Sequence, residues 1–111
     1  MIVEEESALA HRINEHEAAR LARLPRAERF EALIEFPTRH LFKVIGPSDG
    51  LSDAVQQALT GLGFGQVLFV ERYSAKGRHV SLTFELSVGS GIELDSIYSA
   101  LEQVEGVAYL L

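Results

Sequence analysis

From His79 to Val88 apolar and polar residues alternate without a break, with Val80, Leu82, Phe84, Leu86 and Val88 on one side and His79, Ser81, Thr83, Glu85 and Ser87 on the other. Successive side chains of a strand point to opposite faces, so the run predicts a strand buried on one face only. Such a strand calls for a sheet with helices on one side and none on the other. With 111 residues the chain has room for one core, so the neighbouring segments must supply that cover.

They do so in a fixed order. His40-Leu41-Phe42-Lys43-Val44-Ile45 is a β-rich run closed by Gly46-Pro47. Leu51, Ala54, Val55, Ala58, Leu59 and Leu62 then recur at helical spacing, with Ser48 or Asp49 as the expected cap and Gly61, Gly63 and Gly65 as the stop. Val67-Leu68-Phe69-Val70 reads as the next strand, and Ser74-Ala75-Lys76-Gly77 turns it into the alternating run. Ser90-Gly91-Ile92-Glu93 has the form of a capping box, Ser90 reaching forward and Glu93 reaching back, and it launches a helix carrying Leu94, Ile97, Tyr98, Leu101 and Val104. Residues 107–111 are the last strand expected. The order β-α-β-β-α-β with right-handed crossovers puts both helices on one face of a four-stranded antiparallel sheet. The fold class is therefore α+β, a ferredoxin-like sandwich over residues 36–111. Its expected core is Phe42 or Ile45, Val55, Leu59, Leu62, Leu82, Phe84, Leu86, Ile97 and Leu101.

Residues 1–35 read as a helical extension. No glycine or proline interrupts residues 5–24, and Leu9, Ile13, Leu21 and Leu24 make a narrow apolar stripe on a helix. Pro25 restarts a shorter helix over about 25–35 that buries Phe30, Leu33 and Ile34 before Pro37 ends it. The stripe is too narrow to hold a free helix in water, so Leu9, Ile13, Leu21 and Leu24 are expected to dock on apolar surface, either the chain's own sheet or a twin subunit in a homodimer. Such surface is expected on the open side of the sheet, because Val67-Leu68-Phe69-Val70 is apolar on both faces and the first strand carries Leu41 and Ile45 on one face and Phe42 and Val44 on the other.

Ten Lys and Arg against 16 Asp and Glu give a net charge of −6, which repels phosphate backbones and anionic lipid unless the few basic residues cluster. There is no cysteine, which excludes disulfides, thiolate metal sites and cysteine nucleophiles. No apolar run approaches the roughly 20 residues that span a bilayer, and the acidic start Met1-Ile2-Val3-Glu4-Glu5-Glu6 is the opposite of a signal peptide, so a cytoplasmic protein without a membrane partner is expected.

Catalytic and metal chemistries find little to work with. His11 and His16 are five apart on a helix, where productive pairs are three or four apart. His40 and His79 fall on strands that the fold places adjacent, but without an acid or thiol beside them they read as polar residues of a sheet surface. His79, Ser81 and Glu85 share a strand face through alternation alone, and no Gly-x-Ser-x-Gly elbow precedes Ser81. No catalytic residue, metal ligand or cofactor site is assigned. Residues 46–50 also lack the arginine that acylphosphatases of this topology require.

Leu33-Ile34-Glu35-Phe36-Pro37-Thr38 and Phe42-Lys43-Val44-Ile45-Gly46 resemble the opening of the YbeD-like family of small bacterial proteins of unknown function. Ser74-Ala75-Lys76-Gly77-Arg78-His79-Val80-Ser81 resembles that family's Ser-x-x-Gly-x-Tyr-x-Ser hairpin, with His79 in place of the tyrosine. Ile97-Tyr98-Ser99-Ala100-Leu101, Gly106-Val107 and Leu111 resemble its final helix and strand, so the likeness covers about residues 30–111. It implies a fold similar to ACT regulatory domains, which bind amino acids between domains and have no catalysis of their own. On that analogy the loop carrying Gly46, Ser48, Asp49 and Gly50 is the candidate ligand loop, although the Asp49 carboxylate competes with an anionic ligand at the helix start. The expected function is a non-catalytic regulatory or protein-interaction module, with a protein partner or a small-molecule ligand. The second reading is an RNA-binding module on the open face of His79, Ser81, Thr83 and Glu85. Nucleic acid is the lesser candidate because that face lacks stacking rings.

Overall fold

The computed structural model describes residues 15–111. Its centre is a ten-residue antiparallel ladder between β1 (Thr38–Pro47) and β3 (His79–Val88), running from Thr38 opposite Val88 to Pro47 opposite His79. β2 (Val70–Tyr73) and β4 (Tyr109–Leu110) complete a four-stranded sheet in the order β2-β3-β1-β4. α3 (Leu51–Gly61) and α4 (Gly91–Glu102) follow β1 and β3, and the order is that of the ferredoxin-like sandwich. Two shorter helices precede the sheet, α1 (Glu15–Ala22) and α2 (Arg26–Leu33).

The covered face is buried at every second position of both central strands, apolar throughout on β3 and at Phe42 and Val44 on β1. Phe42 lies at its centre, its ring 5.3 Å from Phe84 and 5.2 Å from Tyr98. Val55 and Leu59 of α3, and Leu94, Ile97 and Leu101 of α4, close over them without exposure to solvent. α2 packs on α4 and drives Phe30 into the same cluster, 5.8 Å from the Tyr98 ring. Leu62 is a correction to the expected core. It follows the end of α3, where the backbone has left the helix, and it faces solvent.

The second strand begins at Val70 instead of Val67. Gln56 of α3 is the reason: its amide nitrogen donates to the Gly65 carbonyl and its oxygen accepts from the Val67 N–H, at 2.9 Å each. Pinned to the helix, this segment stays out of the ladder, while Val67 is buried and Phe69 packs edge-on against Phe84. The apolar run thus turns Val67 and Phe69 to the core and leaves Leu68 exposed before the strand begins.

Caps also differ from expectation. Gly50, at φ 76°, is the cap residue of α3, and neither Ser48 nor Asp49 caps the helix. Ser90 does cap α4, accepting from the Glu93 N–H, but Glu93 reaches back to the amide of Gly89, not to that of Ser90. The last strand is confined to two residues beside β1, extended by mutual Lys43 and Leu111 backbone hydrogen bonds.

Of the apolar stripe expected on the first helix, Leu9 and Ile13 lie outside the described residues. Leu21 and Leu24 are half-buried, and α1 packs on α2.

Candidate functional site

Residues paired directly across antiparallel strands share a face, so the registers define what the open side displays. One row across it reads Val70, Thr83, Lys43 and Leu111, and the next reads Arg72, Ser81, Ile45 and Tyr109. Beyond them Leu41 lies opposite Glu85, and Arg39 opposite Ser87. The predicted set His79, Ser81, Thr83 and Glu85 does lie along this face, His79 at its end opposite Pro47. Arg39 bridges two of the row ends, donating to the Glu85 carboxylate at 3.1 Å and to the Ser87 hydroxyl at 3.3 Å.

That geometry separates the groups a nucleophilic site would need to unite. Glu85 is engaged with Arg39, while His79 lies six residues along the strand, about 20 Å away. His40 and His79 occupy opposite ends and opposite faces of the ladder, so adjacency of their strands does not bring them together. His40 is not a surface residue as expected: it faces the helices, 4% exposed, with Nε2 3.0 Å from the Tyr98 hydroxyl. Among the described residues no group of three or more His, Asp or Glu side chains is arranged to hold a metal ion. The Tyr98 hydroxyl is worth keeping for the buried imidazole, so Tyr98→Phe is expected to lower stability by about 1–2 kcal/mol. A urea denaturation midpoint unchanged from the parent would show that the pair contributes nothing.

The loop of residues 46–50 is tied into the fold. A Cβ on Gly46 would lie 2.8 Å from the Gly106 carbonyl oxygen, so the glycine there serves a close approach between two backbone segments. Ser48 donates its hydroxyl to the Gly77 carbonyl at 2.6 Å and its N–H to the Arg78 carbonyl at 2.9 Å, fastening the loop to the β2–β3 turn. Asp49 and Gly50 are exposed.

Two further features flank the sheet. A groove of about 600 Å³ lies beside β3, lined by Phe64, Leu68, Leu41, Glu85 and Leu86 among others. On the helix layer, Arg26 joins α2 to α4 through Asp95, Glu102 and the Ser99 hydroxyl. The hydrogen bond to Glu102, with that to Asp95 and against the cost of partial burial, holds the Arg26 guanidinium above its ordinary pKa.

Arg72, Tyr109 and Leu111 were not singled out from the sequence as members of the open face. The turn carried the missing signal: Ser74 bonds to His79 across it, and counting back from that pair sets Arg72 opposite Ser81.

The fold defines a small ferredoxin-like module with one sheet surface covered by helices and one that no helix among the described residues covers. Residues 31–111 match the model of a family described as a protein of unknown function, DUF493, and the chain belongs to that family. A UPF0250 protein of Shewanella piezotolerans is 36% identical over 84 residues, covering 75% of this chain and 96% of the relative. One from Idiomarina loihiensis is 33% identical over the same share of each. These are the YbeD-like proteins that the hairpin and the final helix resemble. Among solved structures, the solution structure of protein HP0495 from H. pylori superposes with a TM-score of 0.59 at 19% identity, over 70% of this chain and 85% of that one. No helix among the described residues is long and apolar enough to cross a membrane.

Proposed function

We propose that the domain is a non-catalytic interaction module that engages another protein through the open face of its sheet. The observation that carries this is the apolar surface left bare there, with Leu41 59%, Val70 71% and Tyr109 67% exposed. Large aliphatic and aromatic side chains left exposed among polar ones on one sheet face are found on surfaces that a partner covers. Sensing of a small metabolite at residues 46–50 has less support, because Gly46 and Ser48 are already committed to contacts within the fold.

Two measurements test the reading. A Leu41→Ser, Val70→Ser double variant changes exposed positions and is expected to keep its fold, with each substitution within about 0.5 kcal/mol of neutral. It should lose the protein that the full chain retains in affinity purification. In parallel, a thermal-shift screen against amino acids and small metabolites is expected to stay flat. A metabolite at about 100 times its dissociation constant adds roughly 2.7 kcal/mol, or about 10 °C for a domain of this size. A shift of that size, or identical retention by parent and double variant, overturns the proposal.

A further inference from the structure

The five basic residues beyond position 35 are Arg39, Lys43, Arg72, Lys76 and Arg78, and every one is on β1, on β2 or in the turn that joins β2 to β3. Of the eight acids in the same stretch, Asp49, Asp53, Glu93, Asp95, Glu102 and Glu105 are on α3, on α4 or in the loops bounding them. Only Glu71 and Glu85 remain on the strands. A stretch of net charge −3 is therefore divided into a cationic sheet and an anionic helix layer.

The open face concentrates this division. Arg39 is engaged with Glu85, and Glu71 points to the opposite side of β2 from Arg72. Lys43 and Arg72 are exposed and form no ion pair among the described residues. They share the open face two strands and two residues apart, about 12 Å, with Val70, Ile45 and Tyr109 around them. A second copy seated face to face would bring two sets of these cations into one interface, since a two-fold interface is formed by the same patch of both subunits. Single-stranded nucleic acid would require rings on the central strands, where Lys43, Ile45, Ser81 and Thr83 stand.

We propose that the open face receives an acidic protein surface, one that brings carboxylates to Lys43 and Arg72 and apolar side chains to Leu41, Val70 and Tyr109. This rests on the interaction-module reading and specifies the partner's chemistry. The anionic helix layer repels the same partner and so orients its approach.

The test uses the full chain as bait for a library of random peptides displayed on phage. Peptides that combine Asp or Glu with Leu, Ile, Val or Phe are expected to be enriched. A synthetic peptide of that kind should bind the parent and bind Lys43→Glu, Arg72→Glu at least about tenfold more weakly. Binding should also weaken as salt is raised, while the variant's melting temperature stays that of the parent. Enriched peptides that lack acids yet are lost by Leu41→Ser, Val70→Ser overturn the acidic partner and leave the interaction surface standing. Peptides insensitive to both variants, or none at all, overturn both. A uridine oligonucleotide bound tightly and released by the charge reversal would put RNA on this face, and a homodimer that dissociates in the same variant would put a second copy there. Either result overturns the proposal.

Discussion

Phe42→Ala is expected to destabilise the protein by about 3–5 kcal/mol, a large part of the 5–15 kcal/mol typical of a small domain. The ring is fully buried on a central strand. It stacks on Phe84, tilts against Tyr98 and lies 4.9 Å from the His40 ring. Two of those three neighbours belong to β1 and β3, held in register by a ten-residue ladder, so the space left by the ring has no ready way to close. Urea denaturation measures the effect as a drop in midpoint. A loss below about 1 kcal/mol would mean that the core can collapse around the gap, contrary to the packing described.

The second large effect is expected at Gly91, where intrinsic helix propensity and packing point in opposite directions. Gly91 opens α4, and alanine in place of glycine in a helix ordinarily gains about 0.5–1 kcal/mol. Here a Cβ would collide with the Ala27 carbonyl oxygen and lie 3.0 Å from the Glu31 N–H nitrogen, both backbone atoms of α2. Backbone cannot swing aside as a side-chain end can, so α2 must lift, and with it the contact between the Glu31 carboxylate and the Gly91 amide. Gly91→Ala is therefore expected to lose about 1–3 kcal/mol net. Limited trypsin digestion should cut at Arg26 and Arg29 sooner in the variant, because Arg26 would leave Asp95 and Glu102 as the helix lifts. A variant as stable as the parent, with unchanged digestion, would show that α2 does not lie this close to α4.

Much of this architecture was legible before any coordinates. The alternation through β3, the helical spacing of Val55 and Leu59, and the Ser90 cap all follow from local periodicity and local hydrogen bonding, and all appear in the structure. Local signals failed where a distant group decided the outcome. Residues 67–70 have the composition of a strand, but Gln56 captures the Val67 amide from another element. His40 has the composition of a surface residue, but Tyr98 reaches it from α4 across 58 positions of sequence.

The candidate surface follows the same division. That the two crossover helices would cover only one face of the sheet was determined by the sequence itself, because the strand through His79–Val88 is apolar on one side alone and right-handed crossovers put both helices on that side. Which side chains meet there was decided only by the tertiary structure. Arg72 and Lys43 lie 29 residues apart in the chain, and Tyr109 lies 66 beyond Lys43. Only the pairing of β2 with β3 and of β4 with β1 sets them on one surface. A register shift of one residue would turn each to the other face, and register is selected by the whole buried side of the sheet rather than by the residues displayed on the open one.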